Sequence, residues 1–245
     1  MTKKRNIAVD IGNTRIKSGE FEGSQLVKVE HWDSLIQLHA IKKDITEQWI
    51  FCSVRGNQYE IDQVFHDENH LYLNHKTPLP IRLDYKTPET LGMDRVAALV
   101  GAQTLFPGSN LLVIDVGTCN TYDVLDASGT FIGGVIAPGF KMRMKSMNHY
   151  TKGLPDISGE WEEINGGLLG QTTRECLKSG SFHAVVMEIE GFIDHFSKEL
   201  QDLTILLTGG DATYFESKLK GPIFAGSNLV LRGLNRIMHF NNAQN

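Results

Sequence analysis

"IAVDIGNTRIKSGEF", residues 7–21, returns in altered form as "LLVIDVGTCNTYDVL", residues 111–125. In each, an apolar run ends in an aspartate, Asp10 or Asp115, and a glycine and a threonine follow within four residues. The first copy reads as strands over 7–10, 15–21 and 26–31, with Glu22, Gly23 and Ser24 as the second turn. The second copy reads the same way over 111–115, 121–126 and 130–136, with Ala127, Ser128 and Gly129 at the corresponding turn. From Asp10 to Asp115 is 105 positions, too long for a solenoid repeat and about the length of a domain. The chain therefore reads as a duplication, with one half over 1–108 and the other over 109–245.

Helix-like spacing over 34–45 and 58–69, around a short strand at 49–53, makes the region between the copies an alternation of strands and helices. A helical run begins at Arg95 and extends to Phe106. After the second meander come Pro138 and Gly139, a polar stretch over 152–163, and two helical segments, 167–178 and 182–200. A strand at 203–207 then enters "TGGDA", residues 208–212, where Asp211 is placed to cap the following helix.

Composition limits what such a protein does. Of 245 residues 41% are hydrophobic and 22% charged, and the net charge of −5 supplies no basic field for nucleic acid. No apolar stretch is long enough to span a membrane. The opening MTKKRN runs into a strand without the apolar core of a signal peptide, so a cytoplasmic location is expected. Cys52, Cys119 and Cys176 form neither a CxxC pair nor an even set, which points to reduced packing residues. His66 and His70 have the i, i+4 spacing of a metal pair, but "HDENH" has no third ligand nearby and reads as a polar helix end.

A strand ending in aspartate, then glycine, then a hydroxyl gives a carboxylate at the strand mouth and a turn whose backbone can approach a ligand closely. Free N–H groups there suit a phosphate chain. The carboxylate makes sense beside phosphates only through a cation or cation-bound water, and Mg2+ keeps several waters. Either turn alone is equally well a plain hairpin, where Gly, Asn and Asp are common; keeping Asp, Gly and Thr in register twice favours two turns gripping one nucleotide triphosphate. The other nucleotide signatures are missing: Gly134 and Gly139 have P-loop spacing but Phe140 and Lys141 follow, and no GxGxxG follows a strand.

These motifs resemble those of the acetate and sugar kinase/Hsp70/actin superfamily. Together with "YKTPETLGMDRVAALVGA" (85–102), "GGVIAPG" (133–139) and "TGGDA", they are similar to type III pantothenate kinases over nearly the whole chain. The resemblance implies duplicated ribonuclease H-like domains, each an α/β unit with a mixed sheet and flanking helices, in an actin-like ATPase fold. It implies transfer of the γ-phosphoryl group of ATP to the 4′-hydroxyl of pantothenate, giving 4′-phosphopantothenate in the first step of coenzyme A synthesis.

On that resemblance the β- and γ-phosphates are held by residues 10–17, namely Asp10, Ile11, Gly12, Asn13, Thr14, Arg15, Ile16 and Lys17, and by Gly117 and Thr118. Lys17 is a charge partner in that set. Asp94 is the general base, able to contribute roughly a hundredfold to ten-thousandfold by accepting the hydroxyl proton. Tyr85, Gly92, Met93 and Arg95 line the pantothenate site, and Thr173 reaches it from a neighbouring subunit of a homodimer. Asp115 helps to bind a monovalent cation, potassium or ammonium, alongside ATP and Mg2+. Taken without the resemblance, Asp94 is a helix N-cap, Arg95 a surface arginine and Tyr85 a packing residue, while Thr172 and Thr173 are adjacent helix-start hydroxyls. Two other functions keep the same turns: a kinase for another small acceptor or a polyphosphate hydrolase, and an ATP-binding regulator or actin-like assembly protein without turnover.

Overall fold

The structure, a computed structural model, describes residues 5–13, 15–42, 46–55, 58–66, 68–160 and 167–244. It divides into two compact units, Met1–Ser109 with Leu125–Gly133 and Asn228–Asn245, and Asn110–Val124 with Gly134–Ser227. The C-terminal residues and one hairpin tip thus pack with the first unit, a feature that a boundary read at residue 108 does not contain.

The first unit is built on β1 (Arg5–Ile11), β2 (Ile16–Glu22), β3 (Gln25–Trp32), β4 (Thr46–Ser53) and β5 (His70–Tyr72), in the order β3-β2-β1-β4-β5. β1, β2 and β3 pair antiparallel; β4 runs parallel to β1 and β5 parallel to β4. Ile7, Ala8 and Val9 are consecutive and fully buried, so β1 is covered on both faces, which explains its unbroken apolar run. On one face α1 (Leu35–Lys42) and α2 (Gln58–Val64) bring Leu35, Leu38 and Ile61 against Ile7, Trp49 and Phe51. α3 (Met93–Leu105) packs against the C-terminal helix α7 (Leu229–Asn242), which also rests on β1. Two glycines permit that approach: a Cβ on Gly101 would overlap the Leu229 carbonyl, and one on Gly233 the Ala97 carbonyl.

Charge is also buried in this unit. Glu20, 2% exposed, accepts from Lys42 Nζ at 2.6 Å and from Arg5 at 2.6 Å, while Lys42 reaches Glu30 at 2.5 Å. Removing one member of such a cluster leaves its partner desolvated without compensation. Glu20→Ala is expected to cost about 3 kcal/mol of folding stability, read as a lower midpoint in urea, whereas the exposed Lys28, which also pairs with Glu30, is expected to be nearly dispensable.

The second unit is built on β7 (Leu111–Val116), β8 (Cys119–Leu125), β9 (Thr130–Pro138), β10 (Thr204–Thr208) and β11 (Phe224–Ala225), in the order β11-β10-β7-β8-β9, with Leu125 and the first residues of β9, up to Gly133, counted in the first unit. Element for element this is the order of the first sheet, so the duplication read from two turns extends to the strands after them. β10 is parallel to β7 and β11 to β10, again as in the first unit. α4 (Phe140–Tyr150), α5 (Thr173–Glu199) and α6 (Ala212–Glu216) close its core, in which Phe140, Phe182 and Phe215 lie with Ile114, Val116 and Tyr122. The start of β9 pairs in parallel with a two-residue strand, β6 (Arg82–Leu83), through Arg82–Thr130 and Leu83–Phe131.

Several local expectations change. The segments read as helices over 167–178 and 182–200 form one helix of 27 residues starting at Thr173; Ser179, Gly180 and Ser181 resemble a break, but Ser181 bonds back to the Leu177 carbonyl within the helix. The helix expected to run to residue 69 ends at Val64, and His70 sits on β5 with Nε2 3.1 Å from Asp62, so His66 and His70 do not share a helix face. Residues 43–45 and 161–166, covered by two of the expected segments, lie outside the described residues.

Candidate active site

Asp10 and Ile11 close β1, and the chain turns at Gly12, whose N–H donates to the Arg15 carbonyl at 3.1 Å, before Ile16 opens β2. Ile11 and Ile16 are core residues at 0% and 7% exposure, so only their backbone faces the turn. Asp10 pairs with Lys17 across the two strands, a register that puts ammonium and carboxylate on one face. Arg55, just past β4, donates to the Asn13 carbonyl at 2.6 Å. Thr14 lies outside the described residues.

Desolvation, then repulsion from Asp94, pushes the Asp10 carboxyl up to about 7, while Lys17 opposes the shift. Burial likewise raises Asp94, against the lowering effect of the Arg95 backbone N–H and the Arg95 charge. Asp10 thus feels the charge of Asp94, with Lys17 opposing the shift at Asp10 and Arg95 the one at Asp94. Asp94 is not the N-cap of α3. That position belongs to Gly92, and Asp94 is the second helical residue, its Oδ1 accepting from the Arg95 N–H at 2.9 Å. A Cβ on residue 92 would stand 2.6 Å from Asp94 Oδ1, so glycine there leaves room for the carboxylate. Arg95 is no surface arginine: it is 8% exposed, with its guanidinium 5.7 Å from the Phe131 ring centre. Tyr85 stacks on that same ring at 5.7 Å and 10°. Met93, half-buried, opens the helix beside them.

In the second unit, three segments far apart in sequence meet. Gly117 N–H donates to the Cys119 carbonyl at 3.2 Å, and Gly139 N–H donates to the Thr118 carbonyl at 3.1 Å. A Cβ on Gly139 would overlap the Gly117 carbonyl. Gly209, at φ +105°, lies so close to Val116 that a Cβ would overlap its carbonyl and stand 2.6 Å from Asp115 Oδ1. Gly139 is also the N-cap of α4 and offers no side-chain cap, so that N-terminus keeps donors that an anion satisfies. Asp211 N–H donates to the Val116 carbonyl at 3.0 Å; its carboxylate, 3.7 Å from Lys141 Nζ, does not cap α6. Gly139, Gly209 and Arg55 received no role from the sequence; the motifs containing the first two were visible, but their contact with the Asp115 turn is not written in either one.

Thr172, not Thr173, caps α5. Its hydroxyl accepts from the Glu175 N–H at 3.2 Å in a capping box, which leaves the exposed Thr173 side chain as the uncommitted hydroxyl of the two.

Among the described residues no three His, Cys, Asp or Glu side chains gather as a metal cage. The Asp10 carboxylate nevertheless fits Mg2+ as kinases use it, with one or two carboxylates and the remaining positions left to phosphate and water.

Two units of matching strand order, each with an acidic glycine turn at the mouth of its first strand, define an actin-like ATPase fold arranged for phosphoryl transfer. Solved structures agree on the fold: a Campylobacter jejuni protein assigned to the Baf family of transcriptional activators aligns over 97% of this chain and 99% of its own with a TM-score of 0.65 at 20% identity. MreB5 of Spiroplasma citri, bound to ADP, aligns over all of both chains with a TM-score of 0.53 at 10% identity. Residues 6–195 match the family model of type III pantothenate kinase. The type III pantothenate kinase of Cytophaga hutchinsonii is 41% identical over 237 residues, covering 96% of this chain and 99% of the relative. The chain belongs to the type III pantothenate kinase family, whose members phosphorylate pantothenate in coenzyme A biosynthesis with ATP. Among the described residues no helix is long and apolar enough to cross a membrane.

Proposed function

We propose that this chain transfers the γ-phosphoryl group of ATP to the 4′-hydroxyl of pantothenate, with Asp94 accepting the hydroxyl proton. The single observation that carries this assignment is the Gly92–Arg95 corner, where a half-buried carboxylate stands at the first turn of α3 beside a buried arginine. An alcohol needs a base near its proton, and burial raises Asp94 above the ordinary carboxylate range while the Arg95 N–H and charge favour its ionised form. Arg95, with a fixed fork of donors, binds the pantothenate carboxylate, Tyr85 lies against its chain, and Gly92 and Met93 form the wall.

In the first unit the phosphate donors are the backbone N–H groups of Gly12, Asn13 and Arg15, with Lys17 and Arg55 supplying positive charge; in the second unit they are those of Gly117 and Thr118. Asp10 holds Mg2+ through carboxylate or bound water. An ion held there would neutralise the negative charge that develops on the transferred phosphoryl group. Asp115, beside Gly117 and Gly209, contributes to a potassium or ammonium site. Thr173 reaches pantothenate bound to the other copy of a homodimer, and the enzyme works in the cytoplasm.

ADP release coupled to NADH oxidation tests the reading. Turnover is expected with pantothenate, ATP, Mg2+ and K+ together. Turnover with a sugar and none with pantothenate would reassign the acceptor, and undiminished turnover after exchange of K+ for Na+ would remove the monovalent site from Asp115. Sedimentation at assay concentration is expected to give a dimer.

A further inference from the structure

The ring beneath the two substrate-binding side chains has had no role so far. Phe131 is fully buried near the start of β9, and both Tyr85 and Arg95 rest on it, each 5.7 Å from its centre. At 10° between planes and that separation, Tyr85 is offset-stacked; the guanidinium is within cation–π range. Arg95 is 8% exposed, so water does not weaken this contact as it does at a surface.

The ring is held from several sides. The Phe131 carbonyl accepts from the Asp84 N–H at 3.0 Å, one residue before Tyr85, and the Gly129 carbonyl accepts from the Arg82 N–H at 2.9 Å. The Arg82 side chain donates to Ser128 Oγ at 2.9 Å and Thr130 Oγ1 at 3.2 Å. Asp126 braces the turn by accepting from the Ser128 and Thr130 N–H groups, each at 2.9 Å. On the α3 side, Gly129 at φ +78° lies so near Gln103 that a Cβ would stand 2.6 Å from its amide nitrogen. The hairpin tip is thus docked on the segment carrying Tyr85 and on the helix carrying Arg95.

We infer that Phe131 is a positioning residue for the acceptor substrate, fixing Arg95 and Tyr85 in their binding orientations without touching pantothenate itself. This rests on the assignment of those two residues to pantothenate. An arginine has several freely rotating bonds, and an aromatic face restricts them before substrate arrives; affinity then falls when the face is removed, because binding itself must order the side chain.

Phe131→Leu keeps the site apolar but removes the ring face, and Phe131→Tyr restores the face. With Phe131→Leu, KM for pantothenate is expected to rise on the order of tenfold, with KM for ATP and kcat within about twofold. Phe131→Tyr is expected to recover most of the loss. Phe131→Met repeats the test with a more adaptable side chain. Equal losses in both KM values and kcat, or failure of both the Leu and Met variants to fold, would make the ring a simple core residue and overturn the inference. Arg95→Lys and Tyr85→Leu serve as reference points. If they raise KM for pantothenate and Phe131→Leu does not, the inference fails alone; if they leave it unchanged, the substrate assignment fails first.

Discussion

Asp94→Asn is expected to lower kcat by roughly a hundredfold to ten-thousandfold, the range a positioned base contributes, while ATP binding and folding persist. Asparagine has nearly the shape of aspartate and still accepts a hydrogen bond from the Arg95 N–H, so the first turn of α3 is preserved. What it lacks is a site for the hydroxyl proton. If alignment and phosphate neutralisation did all the work, the amide would cost little, since neither depends on basicity. Burial raises the Asp94 carboxyl above its ordinary range, so wild-type kcat is expected to fall as pH drops through that raised value, and the residual rate of the variant to lose this limb. Steady-state kinetics over pH 5–9, with nucleotide affinity from calorimetry and melting temperature as controls, separates the outcomes. Near wild-type turnover would remove Asp94 as the base.

The parts of this architecture that the sequence displays are those where stereochemistry restricts residue choice. A turn that must bring backbone to phosphate uses glycine, and the acidic strand ends preceding it repeat 105 positions apart, from Asp10 to Asp115. The two meanders were legible from that repeat, while the order of the strands around them comes from the structure. α7 was not, because its apolar stripe specifies that Leu231, Leu234 and Ile237 are buried but not against which unit. Gly139 and Gly209 show the same gap: their reason for being glycine is a carbonyl 22 and 93 positions away in the chain, respectively. Phe131 is the extreme case, an apolar residue in a strand whose significance lies wholly in the two side chains above it. Asp94 needed the family resemblance, because a short acidic residue at a helix start is ordinarily a cap. Its position two residues beyond the cap, with Gly92 taking the cap itself, removes the capping role.

Asp10→Asn is expected to abolish measurable turnover and yet to make the unliganded protein more stable at pH 8. The carboxyl sits at about 7 in the fold against an ordinary value of 3.8, with burial the larger cause and Asp94 the second. Between those values the folded chain holds a proton that the unfolded chain has released, so stability falls as pH rises from about 4 to about 7 and levels off above. The full difference corresponds to on the order of 4 kcal/mol at most, a penalty for keeping a carboxylate ionised in a dry corner. Asparagine does not ionise, so the variant is expected to escape that loss: little separates the two proteins at pH 4, and the variant melts several degrees higher at pH 8. Function requires the opposite of what stability favours, since the charge that costs stability is the one a cation and phosphates need. Nucleotide affinity is accordingly expected to drop at least tenfold in the variant and, in the wild type, to strengthen as pH rises through 7. Thermal melts at pH 4, 6 and 8 with and without ATP and Mg2+ measure both effects. A variant no more stable than wild type at pH 8 would show that the Asp10 carboxylate is already compensated in the empty protein, with Lys17 the first residue to test as its partner.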